Sequence, residues 1–247
     1  MSNKYSFGES GSRRRLPFLG FFVEILVIVI GIYIAFLVNE WGEKKKERQL
    51  EVNYLRELRE EVEINWQELE VDQNFRRAQE VFLLKLMDAR NRRVDMDTLR
   101  EAFEYLMIYR FYSPTKAVYN DLISSGNLGL IQSDTIRHLI LTDHQRTSRA
   151  PVSELSERKY VEDELTQYLV RRRVYSLLSL KEDIEEIQTS QRQKDQMINS
   201  LLQDTEFFDH VYARLGRLKT VLYFANPIQW NLRALRRKLD EELSRQG

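Results

Sequence analysis

The chain contains no cysteine, and its 247 residues include only four prolines, nine glycines and three histidines. Without thiolates there is no disulfide framework, no Fe–S cluster, no cysteine-ligated zinc and no cysteine nucleophile. Scarce Pro and Gly argue against an all-β or collagen-like chain. An excess of one charge is missing too, since 38 Lys and Arg balance 38 Asp and Glu. By segment the balance is +3 over residues 1–17, −1 over 18–38 and −2 over 39–247, where 34 basic residues meet 36 acidic ones. So neutral a bulk has no electrostatic hold on a phosphate backbone, and nucleic acid is not expected as a partner.

Long hydrophobic runs are absent except in one place. Phe18 to Val38 is 21 residues long, of which 16 are Phe, Leu, Ile or Val and only Glu24 and Tyr33 are ionisable. As a helix it spans ~31 Å, matching a hydrocarbon core of about 30 Å. Roughly −0.3 to −0.6 kcal/mol per apolar residue, set against about +3 kcal/mol for an acid, favours insertion by several kcal/mol. The run exceeds a signal peptide's apolar region, and Asn39-Glu40-Trp41-Gly42-Glu43 offers no small-x-small cleavage site, so an uncleaved anchor is expected. Arg13 to Arg15 and Trp41 suit the two interfaces. The resulting division is a short basic tail (1–16), a transmembrane helix (17–41) and a helical domain (42–247). Lipid is thereby the first expected partner. Lys and Arg nearly tie on the two sides of the span, so the positive-inside rule leaves its orientation open.

At 100° per residue, Gly20, Glu24, Gly31, Ala35 and Asn39 fall near one face of the span, opposite bulky Phe, Leu and Val. Gly31 and Ala35 form a small-xxx-small pair, while Glu24 and Asn39 are the groups most costly to turn toward lipid. These five residues are the candidate surface for helix self-association. Glu24 as a proton or ion relay is the rival reading, but a lone span with the acid about two turns from its edge favours pairing or snorkelling.

Beyond the span, Leu55, Leu58, Val62, Leu69, Phe75, Ala78, Phe82 and Leu86 recur at helical spacing with no Pro before residue 90, predicting that the anchor continues into one long helix. Thr98 to Glu101 reads as a capping box. Ser113-Pro114 reads as the start of a helix that stops at Gly126. Ser133 caps a fourth helix closing near Pro151, and a fifth runs from about Ser153 to Tyr175. Residues 181–196 read as an exposed helix or a mobile connection, and Val174 to Leu180 is the one weak strand candidate. Asp204 or Thr205 opens a final helix that Asn226-Pro227 should kink or break. The expected fold class is all-α: an N-terminal transmembrane helix continuing into a long helix and an antiparallel helical bundle.

A search for chemistry finds little. His138 and His144 lie about 240° apart on a helix and do not share a metal by themselves. Asp134 with His138, and Glu206 with His210, have i,i+4 spacing and read better as surface pairs than as ligand sets. Gly126-Asn127-Leu128-Gly129 lacks the Lys-Ser or Lys-Thr of a phosphate loop, and Ser124 and Ser125 lack a G-x-S-x-G context. No cofactor, metal or catalytic residue is assigned, and an enzyme is not expected.

The stretch Val23-Glu24-Ile25-Leu26-Val27-Ile28-Val29-Ile30-Gly31-Ile32, then Ala35-Phe36-Leu37-Val38-Asn39-Glu40-Trp41 and Tyr54-Leu55-Arg56-Glu57-Leu58, resembles an uncharacterised bacterial family of single-pass, membrane-anchored helical proteins, a domain of unknown function. Tyr119 to Leu128 and Leu201 to Phe207 are similar to its later motifs. Val23 stands where the family carries Gly, and the leading tail is shorter. The resemblance implies a bacterial inner-membrane protein with its domain on the periplasmic side, and it implies no activity. The expected function is a structural, interaction or envelope-sensing module with a protein partner. The alternative is a ligand-binding helical sensor with a pocket near Tyr105, Tyr109, Tyr112 and Tyr119, and an enzyme using Asp134, His138 or His210 comes third.

Overall fold

The computed structural model describes residues 17–175 and 191–246. The protein is all-α: α1 (Pro17–Asp88), α2 (Met96–Met107), α3 (Ala117–Ser124), α4 (Asp134–Lys159), α5 (Thr166–Arg171), α6 (Gln191–Leu201) and α7 (Thr205–Gln246), with a 3-10 turn at Asn127–Leu130 and a π turn at Tyr160–Leu165. No strand occurs among the described residues. The chain forms two compact units, Met1–Leu50 and Glu51–Gly247.

In the first unit the apolar part of α1 stands uncovered. Among the described residues this is the one helix long and apolar enough to cross a membrane. Lys44 pairs with Glu40 at 2.6 Å and Lys45 lies 5.6 Å from the centre of the Trp41 ring.

The second unit is built on three long rods: α1 from Glu51 onward, α4 running through the π turn into α5, and α7. Arg59–Asp240 (3.1 Å), Arg236–Glu63 (3.0 Å) and Lys219–Glu80 (3.6 Å) set α7 antiparallel to α1. Asn231 donating to the Leu139 carbonyl (3.0 Å) and Arg146 donating to that of Pro227 (2.7 Å) set α7 antiparallel to α4. Two apolar cores result. One gathers Leu83, Leu86, Phe103, Tyr168, Phe207 and Leu218, and the other Leu55, Leu58, Leu69, Ile140, Leu232 and Leu239.

Several local expectations need correction. α2 is capped by Asp95, whose carboxylate takes the Thr98 amide (2.8 Å) and hydroxyl (2.6 Å), so Thr98 lies inside the first turn. An acid there also faces the positive helix end. α3 starts at Ala117, after Ser113-Pro114, and has no side-chain cap from Lys116. Its free amide at Val118 is taken instead by Glu61 of α1 at 2.7 Å. α4 continues through Pro151 to Lys159, because Ala150, Glu154 and Glu157 are buried on either side and packing outweighs the missing backbone bond. α7 likewise passes Pro227 unbroken, with Ala225 and Ile228 buried beside it.

Other signals land as read. Ser133 caps α4 through the Ile136 amide, Asp204 accepts the Glu206 amide at 3.0 Å, and Gly126 takes φ 73° where α3 ends. Residues 191–196 belong to α6, whereas 181–190 and most of Val174 to Leu180 lie outside the described residues.

Candidate functional site

Of the five residues proposed for association of the span, Glu24, Gly31, Ala35 and Asn39 are exposed, and Gly20 is described by its helical backbone alone. A Cβ added at Gly31 meets nothing within 4 Å. Asn39 uses its amide locally, donating to Glu43 at 3.2 Å.

The second unit holds a polar layer that the sequence reading missed. Along α1 one buried stripe runs through Leu55, Leu58, Val62, Asn65, Leu69, Asp72, Arg76, Gln79, Leu83 and Leu86, with Glu51, Tyr54, Glu61 and Gln73 buried beside it. The stripe alternates by three and four, the repeat of a helix seam. The expected Phe75, Ala78 and Phe82 sit only half-buried beside that seam. Following the register through the polar residues, instead of jumping to the nearest apolar ones, is the signal that locates the layer.

Arg76 and Arg214 are fully buried. Arg76 donates from Nε to Asp72 (2.7 Å), from Nη1 to Glu157 (2.8 Å), and from Nη2 to Glu154 (3.3 Å) and the Arg110 carbonyl (2.6 Å). Arg214 pairs with the other Glu157 oxygen and donates to the carbonyls of Leu106 (3.1 Å) and Ile108 (2.6 Å). Gln79 adds bonds to the carbonyls of Tyr105 and Ile108, both 2.6 Å. The Tyr112 amide donates to Glu154 (3.2 Å), and the Thr115 amide and carbonyl pair with the Asn65 side chain, both at 2.8 Å.

These side chains therefore satisfy a nonhelical segment, residues 108–116, that no ladder satisfies. A buried backbone without such partners loses about 1–3 kcal/mol per group. Burial raises Glu154 to about 7 against the pull of the Tyr112 amide and Arg76. For Arg76, burial disfavours the charge and the paired Glu157 and Asp72 more than restore it.

A second polar spot is a cavity of about 20 Å³ lined by Glu61, Asn65, Lys116, Tyr119, Asp143 and His144, among others. That is room for one water, for which roughly 10–15 Å³ suffices, and far below the ~300 Å³ of a small-molecule site. Burial pushes Asp143 up to about 6, and burial together with Lys116 lowers His144. Tyr119 stacks on His144 at 4.2 Å.

The sequence candidates do not converge. Tyr105 packs between Phe75 and Phe82, Tyr109 bonds Glu162, and the Tyr112 hydroxyl donates to the Asn65 carbonyl at 3.3 Å. Asp134 pairs with Arg137 while His138 faces Thr142; Glu206 pairs with Arg171 and Arg172 while His210 bonds the Tyr160 hydroxyl at 2.7 Å. Among the described residues no three His, Asp or Glu are placed to hold a metal ion. Compared with protein-family models, with curated proteins and with solved structures, the chain matches none of them.

Proposed function

We propose that this chain is a single-pass membrane protein of a bacterial inner membrane, anchored by the apolar part of α1. Its helical domain is then a structural, interaction or envelope-sensing module on the periplasmic side. The observation that carries the reading is the uncovered apolar run: Phe22, Ile32 and Val38 are 66%, 65% and 62% exposed, and their neighbours are similar. Leaving such a surface in water forfeits about 25 cal/mol per Å², tens of kcal/mol over the run, which lipid recovers. Within the bilayer, Gly20, Glu24, Gly31, Ala35 and Asn39 form the face through which copies associate. The absence of Pro from residue 18 to residue 113 and the family resemblance of the span support the same reading.

Fractionation tests it. The full-length chain is expected in the high-speed pellet, resistant to carbonate and released by detergent; recovery in the supernatant without detergent overturns the anchor. Crosslinking in native membranes is expected to trap oligomers that Gly31→Leu weakens, and monomers alone would remove the association face.

A further inference from the structure

The polar layer is short of one positive charge. Its nine-tenths-buried members are the carboxylates of Asp72, Glu154 and Glu157 and the guanidiniums of Arg76 and Arg214. Arg110 reaches Asp72 only at 3.9 Å and is 42% exposed, so water screens it. An excess charge at such depth is resolved by taking up a proton rather than by staying ionised.

The geometry shows where a proton is missing. Asp72 Oδ1 and Glu154 Oε2 are buried and have no hydrogen-bond partner among the described residues. Both side chains line one cavity of about 10 Å³, whose other walls include Leu69, Tyr112, Val221 and Ile228. Among the described residues no donor lies within hydrogen-bond distance of either acceptor, and the Ser153 hydroxyl that also lines the space donates to the Ala150 carbonyl (2.9 Å), so a further donor is needed there.

We propose that Asp72 and Glu154 form a buried proton-binding site, in which one proton resides on Glu154 Oε2 and one water in the cavity links it to Asp72 Oδ1. The proton is placed by its neighbours. Asp72 accepts a 2.7 Å bond from Arg76 Nε, and Glu157 is held by both arginines, so each carboxylate already has a close guanidinium partner. Glu154 has only the 3.3 Å contact of Arg76 Nη2 and the neutral amide of Tyr112. The groups facing it are Asp72 and Arg76 from α1, Arg110 and Tyr112 from residues 108–116, Glu157 from its own helix, and Arg214 from α7 through Glu157. The remaining α7 surface at the cavity is apolar: Val221, Phe224, Ala225 and Ile228. The same carboxyl is the one that burial lifts to about 7, with Asp72 and Glu157 adding to the rise.

A proton here matters to residues 108–116, because Glu154 Oε1 holds the Tyr112 amide while Arg76 holds the Arg110 carbonyl. Losing it leaves an uncompensated charge beside that segment, so packing of the segment depends on pH near neutrality. The inference concerns the second unit alone and stands whether or not α1 enters a membrane.

The test is carboxyl-carbon NMR on the full-length protein in detergent micelles, with Glu154→Gln as the assignment and as a neutral mimic. One glutamate carboxyl is expected to titrate about two pH units above the usual range and to vanish in the variant. Between about pH 5 and 8 the unfolding constant of the wild type is expected to rise roughly 50- to 100-fold more than that of Glu154→Gln. A Glu154 titration in the ordinary carboxylate range, or identical pH slopes in the two proteins, overturns the proposal. If Glu154→Gln does not fold, titration of Asp72→Asn decides: a Glu154 midpoint moving downward supports the shared site, and an unchanged midpoint refutes it.

Discussion

Replacing Arg214 with Met removes a guanidinium that is fully buried and bonded to Glu157 and to the carbonyls of Leu106 and Ile108. Met fills most of the volume, so the loss is polar. Glu157 keeps Arg76 but loses half of its compensation, and the Leu106 carbonyl in the last turn of α2 loses its side-chain donor, whereas the Ile108 carbonyl keeps Gln79. Stripping one partner from a buried pair costs about 3–5 kcal/mol, and the orphaned carbonyl about 1–3, with overlap between the terms. A combined ~4–6 kcal/mol is comparable to the whole stability of many domains, about 5–15 kcal/mol. For a domain of this size that lowers Tm by roughly 10–20 °C. Lys219→Met is the control: its bridge to Glu80 is 3.6 Å long and Lys219 is 57% exposed, so less than about 1 kcal/mol is expected. Thermal unfolding of the full-length protein in micelles, followed by circular dichroism, reads both. Equal destabilisation by Arg214→Met and Lys219→Met would refute the view that the polar layer is a structural keystone.

Asp95→Ala is expected to loosen the start of α2, read as faster hydrogen exchange at the Thr98 and Leu99 amides, because the cap is lost. Gly126→Ala should destabilise by roughly 1 kcal/mol in the same melts: φ 73° strains any side chain, although the space around it is open. Asp143 is raised to about 6 by burial, so the stability it carries is present below its unfolded value near 4 and is lost as pH rises through about 6. Asp143→Asn is therefore expected to flatten that part of the Tm profile and to raise Tm at pH 7; an unchanged profile would show that the carboxyl titrates normally.

Most helix termini with a local chemical signature were legible, the start of α2 excepted, where Asp95 caps from three residues before the Thr98 that the sequence favours. Ser133, Asp204 and Gly126 act through neighbours two or three residues away, and they end helices where the chain alone suggests. Pro151 and Pro227 mislead because a proline's local penalty, ~3 kcal/mol, is smaller than the burial that holds α4 and α7 straight through them. α3 begins late because its amide is capped by Glu61, 57 residues away in sequence.

What the amino-acid order determined unaided was periodic or local: helical repeats, one apolar run of membrane length, and most caps, since these depend on residues a turn apart. The buried charges were decided only by tertiary structure. Arg76, Glu154, Glu157 and Arg214 look like surface residues in a polar sequence, and they become core because α1, α4 and α7 close around a segment whose backbone needs exactly such donors and acceptors. Desolvation and pairing are properties of that closed space, so the resulting shortage of one proton has no counterpart in the linear chain.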